Sequence, residues 1–308
     1  MKIVIAGGTG FLGKPLVDHF TDRQFQVVVL TRRPRPAPGA SLARDVAWAP
    51  VESPDPAKLD GWAREIDGAD AVVNLAGAGL ADRRWSAEYK RELLRSRTLA
   101  TRNLVAAVRA ASKPPAVFVQ GSAVGFYGTN PNHTFDESFP PGDDFLGRMC
   151  VAWEAEAHPL TALGSRLVVM RSGIALAADG GALLQMARPF KFFAGGPLGN
   201  GAQTISWIHR DDWIALLDWA IETPAISGPL NGTAPEPVTG VEMASAIGRA
   251  LHRPSWLAVP GFALRILVGE MAKVALLQGQ RVVPERARKQ GFVFRYPDLD
   301  SALAAIYG

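Results

Sequence analysis

The first thirteen residues, Met1-Lys-Ile-Val-Ile-Ala-Gly-Gly-Thr-Gly-Phe-Leu-Gly13, constrain the fold more than any other part of the chain. Lys2 to Ala6 is a short apolar run of strand character. Gly7, Gly10 and Gly13 follow at G-x-x-G-x-x-G spacing, and Phe11 to Phe20 carry apolar residues at helical period. A buried strand, a tight glycine turn and a helix N-terminus in that order make an anion receptor, because the amides of the first helical turn have no partner within the helix. Gly7 permits the turn, Gly10 lets the backbone approach a pyrophosphate, and Gly13 lets helix and strand pack closely. A glycine triplet alone is a weak signal. In this context it reads as a dinucleotide fingerprint, with Thr9, Phe11 and Leu12 lining the same turn.

Gln26 to Leu30 forms the second strand, and the residues at its end choose between the two nicotinamide dinucleotides. An acid there accepts from a ribose 2′-hydroxyl, whereas a 2′-phosphate needs a cation. The chain has Thr31-Arg32-Arg33-Pro34-Arg35 and no acid until Asp45. NADP(H) is therefore favoured, with Arg32 the best candidate for the 2′-phosphate, Arg33 or Arg35 assisting and Thr31 beside them; the alternative is that these are solvated loop charges. Pro34, Pro36, Pro38 and Gly39 mark an exposed loop.

Strands at Asp45 to Trp48, Ala69 to Leu75, Pro115 to Gln120 and Arg166 to Met170 alternate with helices at Asp55 to Ile66, Ser86 to Ala111 and Phe145 to Glu156. That order predicts an α/β fold, a doubly wound parallel sheet of about seven strands (Rossmann-like) with a smaller C-terminal α+β lobe. Small residues after the fourth strand let Leu75, Ala76 and Gly77 line the crevice at the carboxyl ends of the strands. The fifth strand runs into Gly121-Ser122-Ala123-Val124-Gly125-Phe126-Tyr127-Gly128. There the Ser122 hydroxyl is placed to hydrogen-bond a substrate carbonyl or hydroxyl, and Tyr127 is close enough in sequence to donate a proton. A Tyr whose hydroxyl ties down a loop is the competing reading.

At 308 residues and 48% hydrophobic content the chain can bury a large core. It has no apolar run long enough to cross a membrane. Met1 leads straight into the first strand, so no targeting segment is expected, and the single Cys150 excludes an internal disulfide and a cysteine zinc cluster. These points give a cytoplasmic expectation. The net charge of +4 is mild and the basic residues are scattered, which argues against nucleic acid as a partner. No metal site is expected.

The G-G-T-G-F-L-G opening, the Asn74-Leu75-Ala76-Gly77 turn and the Gly121 to Gly128 segment resemble the extended short-chain dehydrogenase/reductases, the group that includes nucleotide-sugar epimerases. Arg84-Trp85, Ser96-Arg97, Trp153-Glu154, Arg171-Ser172-Gly173, Gly195 to Gly199, Ser206 to His209 and Gln280 to Pro284 are similar to an atypical branch, the NAD-dependent epimerase/dehydratase-like "epimerase family". That branch carries an extra C-terminal domain of undefined function, here about 254–303. The resemblance implies that Glu92 and Arg97 of the long helix, and Gly173 and Ile174, meet the cofactor. It places Arg84, Trp85, Gln203 and His209 beside the substrate. His209 has an alternative reading as a loop-to-helix joint, and the glycine-rich loop of Gln203 as a plain surface hairpin.

The chain departs from the wider superfamily where catalysis is concerned. The usual Tyr, with a Lys four residues on, is absent: none of Tyr89, Tyr127, Tyr296 and Tyr307 has that partner, and the helix Phe145 to Glu156 contains neither residue. Two functions stay open. One is an NADP(H)-dependent oxidoreductase or epimerase-like enzyme acting on a small carbonyl or hydroxyl substrate; the other is a non-catalytic NADPH-binding sensor or regulator. A nucleotide-sugar epimerase proper ranks lower for want of the proton relay. The expected organisation is a cofactor domain over 1–175, with 205–235 returning to it, and a substrate lobe over 176–308. The apolar helix Phe262 to Leu277 packs on the core or against a homodimer partner, and Gly291 to Pro297 reads as a late strand.

Overall fold

Strict alternation along the first strand, β1 (Lys2–Ala6), sets up a core on both sides of one sheet: Ile3 and Ile5 face one layer, Val4 and Ala6 the other, and all four are fully buried. The computed structural model describes residues 1–36, 41–130, 133–272 and 277–308. Pro38 and Gly39 of the expected loop lie outside them. Strands β2 (Gln26–Thr31), β3 (Ala43–Ala47), β4 (Ala71–Asn74), β5 (Val117–Ala123), β6 (Arg166–Ser172) and β7 (Gly228–Gly232) join β1 in a parallel sheet of order β7-β6-β5-β4-β1-β2-β3. The order reverses at β1, so a crevice opens at the carboxyl ends of β1 and β4.

Helix α1 (Gly13–Asp22) covers the first face through Leu16, Val17 and Phe20. It meets there α5 (Arg210–Glu222), which contributes Trp213 and Leu217. The second face is covered by α2 (Ala87–Ala110), whose Leu104, Val105 and Val108 repeat at helical spacing and whose N-terminus is capped by Ser86. Helix α3 (Phe145–Ala155) follows on the same side, started by Asp144, which accepts from Gly147 N at 2.8 Å.

A third apolar cluster builds the smaller lobe from α4 (Gly181–Lys191), α6 (Gly240–Leu251) and the closing α9 (Leu299–Tyr307), around Phe190, Trp207, Met243, Ile247 and Leu303. Between them lie α7 (Gly261–Val268) and α8 (Glu285–Lys289). No helix among the described residues is long and apolar enough to cross a membrane.

Three local expectations are corrected. Residues 55–66 form two 3-10 turns, Pro56–Lys58 and Gly61–Glu65, because the backbone is extended at Leu59 and Asp60 between them. The apolar stretch 262–277 is not one helix. It stops at Val268 because Gly269 takes the left-handed conformation, φ +67°; residues 273–276, including Lys273, lie outside the description. Gly291 to Pro297 alternates like a strand yet pairs with none. The amides of Arg295 and Tyr296 are instead taken by the Asp212 carboxylate at 2.9 and 2.8 Å, while Phe292 and Phe294 pack on the core.

The glycine turn separates what folding needs from what a ligand needs. A Cβ on Gly13 would stand 2.1 Å from Gly7 O, whereas one on Gly10 would meet nothing nearer than 3.4 Å. Gly13→Ala is expected to cost about 2 kcal/mol or more by overpacking. Gly10→Ala should stay within about 0.5 kcal/mol of the parent; denaturant titration of both variants checks the contrast.

Candidate functional site

The crevice begins at the turn after β1. Gly7 has φ +85°, and a side chain there would come within 2.8 Å of the Leu75 carbonyl, so the ends of β1 and β4 touch through backbone alone. Gly10 N closes the turn on Gly7 O at 3.1 Å. Helix α1 then starts at Leu12 with no side-chain cap and no acid in its first turn; Lys14 N is taken by Gly10 O at 2.9 Å and Pro15 has no N–H, so the amides left for an anion are those of the turn into the helix, Phe11 to Gly13. Thr9 and Gly10 are exposed beside them. Phe11 is fixed from above: Cβ atoms on Gly180 and Gly181 would fall 2.7 and 2.8 Å from its ring, and the Arg210 guanidinium lies 5.4 Å from the ring centre.

At the end of β2, Thr31 Oγ1 accepts from Arg33 N at 3.3 Å. Arg32 and Arg33 are exposed and make no ion pair among the described residues. Arg35 behaves differently from its expected assisting role. It grips Asp45 with Nε at 2.8 Å and Nη2 at 3.0 Å, and hydrogen bonding from this guanidinium holds the Asp45 carboxyl below its usual range. The next acid along the sequence is thereby paired, while Arg32 and Arg33 stay exposed.

Beneath the Leu75-Ala76-Gly77 turn, the buried Asn74 amide donates to Thr101 Oγ1 at 2.9 Å and to Gln120 Oε1 at 3.0 Å, while its own oxygen accepts from Ala76 N. Arg97 lies across this turn, so close that a Cβ on Gly77 would stand 3.0 Å from its Cγ. Its guanidinium is stacked 5.1 Å from Trp153, donates once to Leu93 O, and leaves Nε without a partner. Burial pushes its pKa down and no carboxylate within ion-pair distance offsets that among the described residues. Such a charge is costly unless a ligand completes it. Glu92, one turn earlier, is exposed and 3.9 Å from Arg95.

The far wall is one continuous polar chain. Ser122 Oγ donates to Glu154 Oε1 at 2.6 Å; Arg171 clamps Glu154 with Nε at 3.0 Å and Nη2 at 2.8 Å; Arg171 Nη1 donates to the Tyr127 hydroxyl at 3.1 Å; and that hydroxyl donates to Asn231 Oδ1 at 2.7 Å. Asn231 Nδ2 ends the chain on Val283 O at 3.0 Å. Burial works against the Arg171 charge, but the Glu154 carboxylate more than restores it and the guanidinium pKa lies above its ordinary value. Its plane also covers the Phe126 ring at 3.3 Å.

The Tyr127 hydroxyl is consequently engaged on both sides in the interior, and burial pushes it up to about 12. It is not poised above the crevice as a donor. Cys150 shares the four-residue spacing with Glu154 on α3, and burial, with the Glu154 charge next, pushes its thiol up to about 12 as well. Glu154 and Arg171 are the residues that sequence reasoning quoted only as parts of motifs. The available signal was an acid and a guanidinium set in otherwise apolar runs, Met-Cys-Val-Ala-Trp-Glu and Leu-Val-Val-Met-Arg.

The expected substrate residues divide. Trp85 is buried, donates to Leu80 O at 2.8 Å and packs edge-on against Phe145, so it anchors the 79–85 turn. Arg84 is exposed and lies against Gly269. Gln203 is drawn into its own loop, donating to Leu198 O and accepting from Gly240 N, with its Oε1 buried and unpartnered. His209 caps α5 by accepting from Asp211 N at 3.1 Å and stacks 4.0 Å from Tyr296, the arrangement of a joint. Gly173 sits where a Cβ would strike Ser206 O at 2.6 Å, and Ile174 N donates to that same oxygen.

A reversing parallel sheet with a glycine turn and an uncapped helix at its switch point defines a doubly wound dinucleotide-fold protein. Residues 3–231 match the NAD dependent epimerase/dehydratase family, and residues 259–306 match a domain of unknown function, DUF1731. The chain belongs to the NAD-dependent epimerase/dehydratase family. It is 41% identical over 308 residues to the chloroplastic homolog of epimerase family protein SDR39U1 from Arabidopsis thaliana, covering 99% of this chain and 86% of that one. It is 38% identical to epimerase family protein YfhF of Bacillus subtilis, covering 99% and 98%. The crystal structure of human epimerase family protein SDR39U1 (isoform 2) with NADPH superposes with a TM-score of 0.86 at 33% identity, over 100% of this chain and 99% of that one.

Burial lowers the His209 pKa from 6.5. The unfolded chain therefore takes up a proton that the folded joint refuses, so this contribution to stability is present above pH 6.5 and is lost as pH falls below it. His209→Asn, which keeps an acceptor for Asp211 N, should remove that part of the acid destabilisation; unfolding midpoints from pH 7.5 to 5 in both proteins measure it.

Proposed function

We propose that this protein is an NADP(H)-dependent oxidoreductase or epimerase-like enzyme acting on a small carbonyl or hydroxyl compound. The observation that carries the reading is the pairing of an uncapped α1 with two unopposed guanidiniums, Arg32 and Arg33, while the nearby Asp45 is neutralised by Arg35. The residues fit the cofactor. The turn from Gly7 to Gly13, with the amides of Phe11, Leu12 and Gly13, would hold the pyrophosphate, Arg32 and Arg33 with Thr31 the 2′-phosphate, and Leu75, Ala76 and Gly77 the face of the crevice next to it. Arg97 would lend its unsatisfied Nε to the bound dinucleotide. Gly173 and Ile174, at the end of β6, would border the nicotinamide. When bound, this cofactor supplies hydride transfer at its nicotinamide ring.

Ser122, at the end of β5, is the side chain we place next to the substrate oxygen, with Glu154 behind it. Arg84, exposed at the mouth, is the remaining substrate candidate, together with the backbone of the 195–203 loop. One observation favours a second reading, a non-catalytic NADPH-binding sensor: the Tyr127 phenol and the Cys150 thiol both hold their protons up to about 12, so neither serves as an acid near neutrality. Stoichiometric NADPH binding without turnover across a carbonyl and alcohol panel would select it.

Calorimetry with NADPH and NADH tests the cofactor assignment. NADPH should bind more tightly, and Arg32→Gln should weaken it by about 10- to 100-fold, the loss of a charge-assisted hydrogen bond, while leaving NADH unchanged. No binding heat, or equal affinity for the two, refutes the reading. Arg97→Met should leave the cofactor-free protein as stable as the parent or more so, since an uncompensated buried charge is removed, while weakening NADPH.

A further inference from the structure

The Ser122 hydroxyl carries one proton, and the polar wall shows where it points. Oγ stands 2.6 Å from Glu154 Oε1, and both Glu154 oxygens are held by Arg171 at 3.0 and 2.8 Å. A carboxylate paired in this way only accepts, so the serine is the donor. Protonating Glu154 instead would strand the Arg171 guanidinium in a place where the two side chains are 6% and 8% exposed and no other carboxylate lies within ion-pair distance among the described residues. The directions of the rest of the chain agree: Arg171 can only donate to the Tyr127 oxygen, and Tyr127 must then pass its own proton to Asn231 Oδ1. Neither hydroxyl of the chain, Ser122 or Tyr127, has a proton left to turn toward the crevice.

We infer that Glu154 is a positioning residue that fixes Ser122 as a hydrogen-bond acceptor, so that the group selected beside it is a donor, the hydroxyl of an alcohol, rather than the carbonyl of a ketone or aldehyde. This resolves the open choice between a carbonyl and a hydroxyl partner for Ser122. The inference rests on the crevice reading proposed above, yet the hydrogen position itself does not depend on the cofactor. Glu154 touches neither reacting atom; it acts by consuming the one proton with which Ser122 would otherwise greet a carbonyl.

Neutron diffraction from deuterium-exchanged crystals of the cofactor-free protein tests the hydrogen position directly. The expected result is a deuteron on Ser122 Oγ directed at Glu154 and none on Glu154. A deuteron on Glu154, or one on Ser122 turned into the crevice, overturns the inference, whereas failure of the cofactor reading would show in the calorimetry instead. The ligand arm titrates matched secondary alcohols and ketones into the NADP(H)-saturated protein, alcohols with the reduced and ketones with the oxidised form so that nothing turns over. Alcohols should bind about tenfold more tightly, the worth of one hydrogen bond. Ser122→Ala, a small change that leaves the Glu154–Arg171 pair intact, should bring that ratio near one. Glu154→Gln, which presents an amide N–H to Ser122, should move it toward ketones. A parent ratio at or below one, or an unchanged ratio in Ser122→Ala, sinks the proposal.

Discussion

The buried pair of Glu154 and Arg171 is the constraint on which the far half of the crevice depends. Taking both charges out of water is unfavourable, and their mutual attraction offsets that only when geometry is good and the remaining hydrogen-bonding positions are filled. Here they are filled on every side: Ser122 on one carboxylate oxygen, Tyr127 on the third guanidinium nitrogen, and Phe126 beneath the guanidinium plane. The pair ties α3 to the ends of β5 and β6, so these elements cannot shift independently. Its contribution is orientation more than net stability: it decides which way each hydroxyl in the wall points.

Around the crevice two acids are paired while three cations are not. Asp45 is held by Arg35 and Glu154 by Arg171, while Arg32, Arg33 and Arg97 have no carboxylate within ion-pair distance among the described residues. Together with the amides of α1, this concentrates positive potential where a phosphorylated dinucleotide would lie. The three unpaired cations differ in kind. Arg32 and Arg33 are solvated and inexpensive to hold, whereas Arg97 is buried, and an isolated buried charge survives selection for stability only when something outside the chain repays its desolvation. The Arg97 Nε is one of six buried polar side-chain atoms without a partner among the described residues, and the one that lies against the Gly77 turn.

How much of this was legible beforehand follows from the range of the interactions involved. The sheet and the glycine turn come from residues close together in sequence, where period and spacing report directly on local geometry, and they are found as the spacing implies. Glu154, Arg171 and Asn231 act through partners 17 to 104 positions away, and no local pattern encodes a partner at that distance. The same limit explains the late segment from Gly291 to Pro297. Its alternation was read as a strand, but whether such a run pairs depends on an open sheet edge, and what it met was the carboxylate of Asp212. Tyr127 shows the reverse case: nearness in sequence to Ser122 suggested a shared crevice, while one turn of 3-10 helix over Val124–Tyr127 carried its hydroxyl to the opposite side of Arg171.

The C-terminal region is tied to the polar wall by main-chain contacts. Arg281–Val282 runs parallel to Thr134–Phe135, and Ser206 holds the same segment by donating to Gln280 O at 2.7 Å and accepting from Val282 N at 2.8 Å. Glu137 then accepts from Asn231 N and from Arg286 N, at 3.0 and 3.2 Å, which locks α8 to β7. Asn231 is therefore held on its amide by Glu137 and on its side chain by Val283 O and the Tyr127 hydroxyl. A displacement of the 280–286 segment would take the Val283 carbonyl from Asn231 Nδ2, the side chain whose oxygen accepts from the Tyr127 hydroxyl. Among the described residues, the 280–286 segment thus braces the polar wall from behind through the Val283 carbonyl and the Arg286 amide.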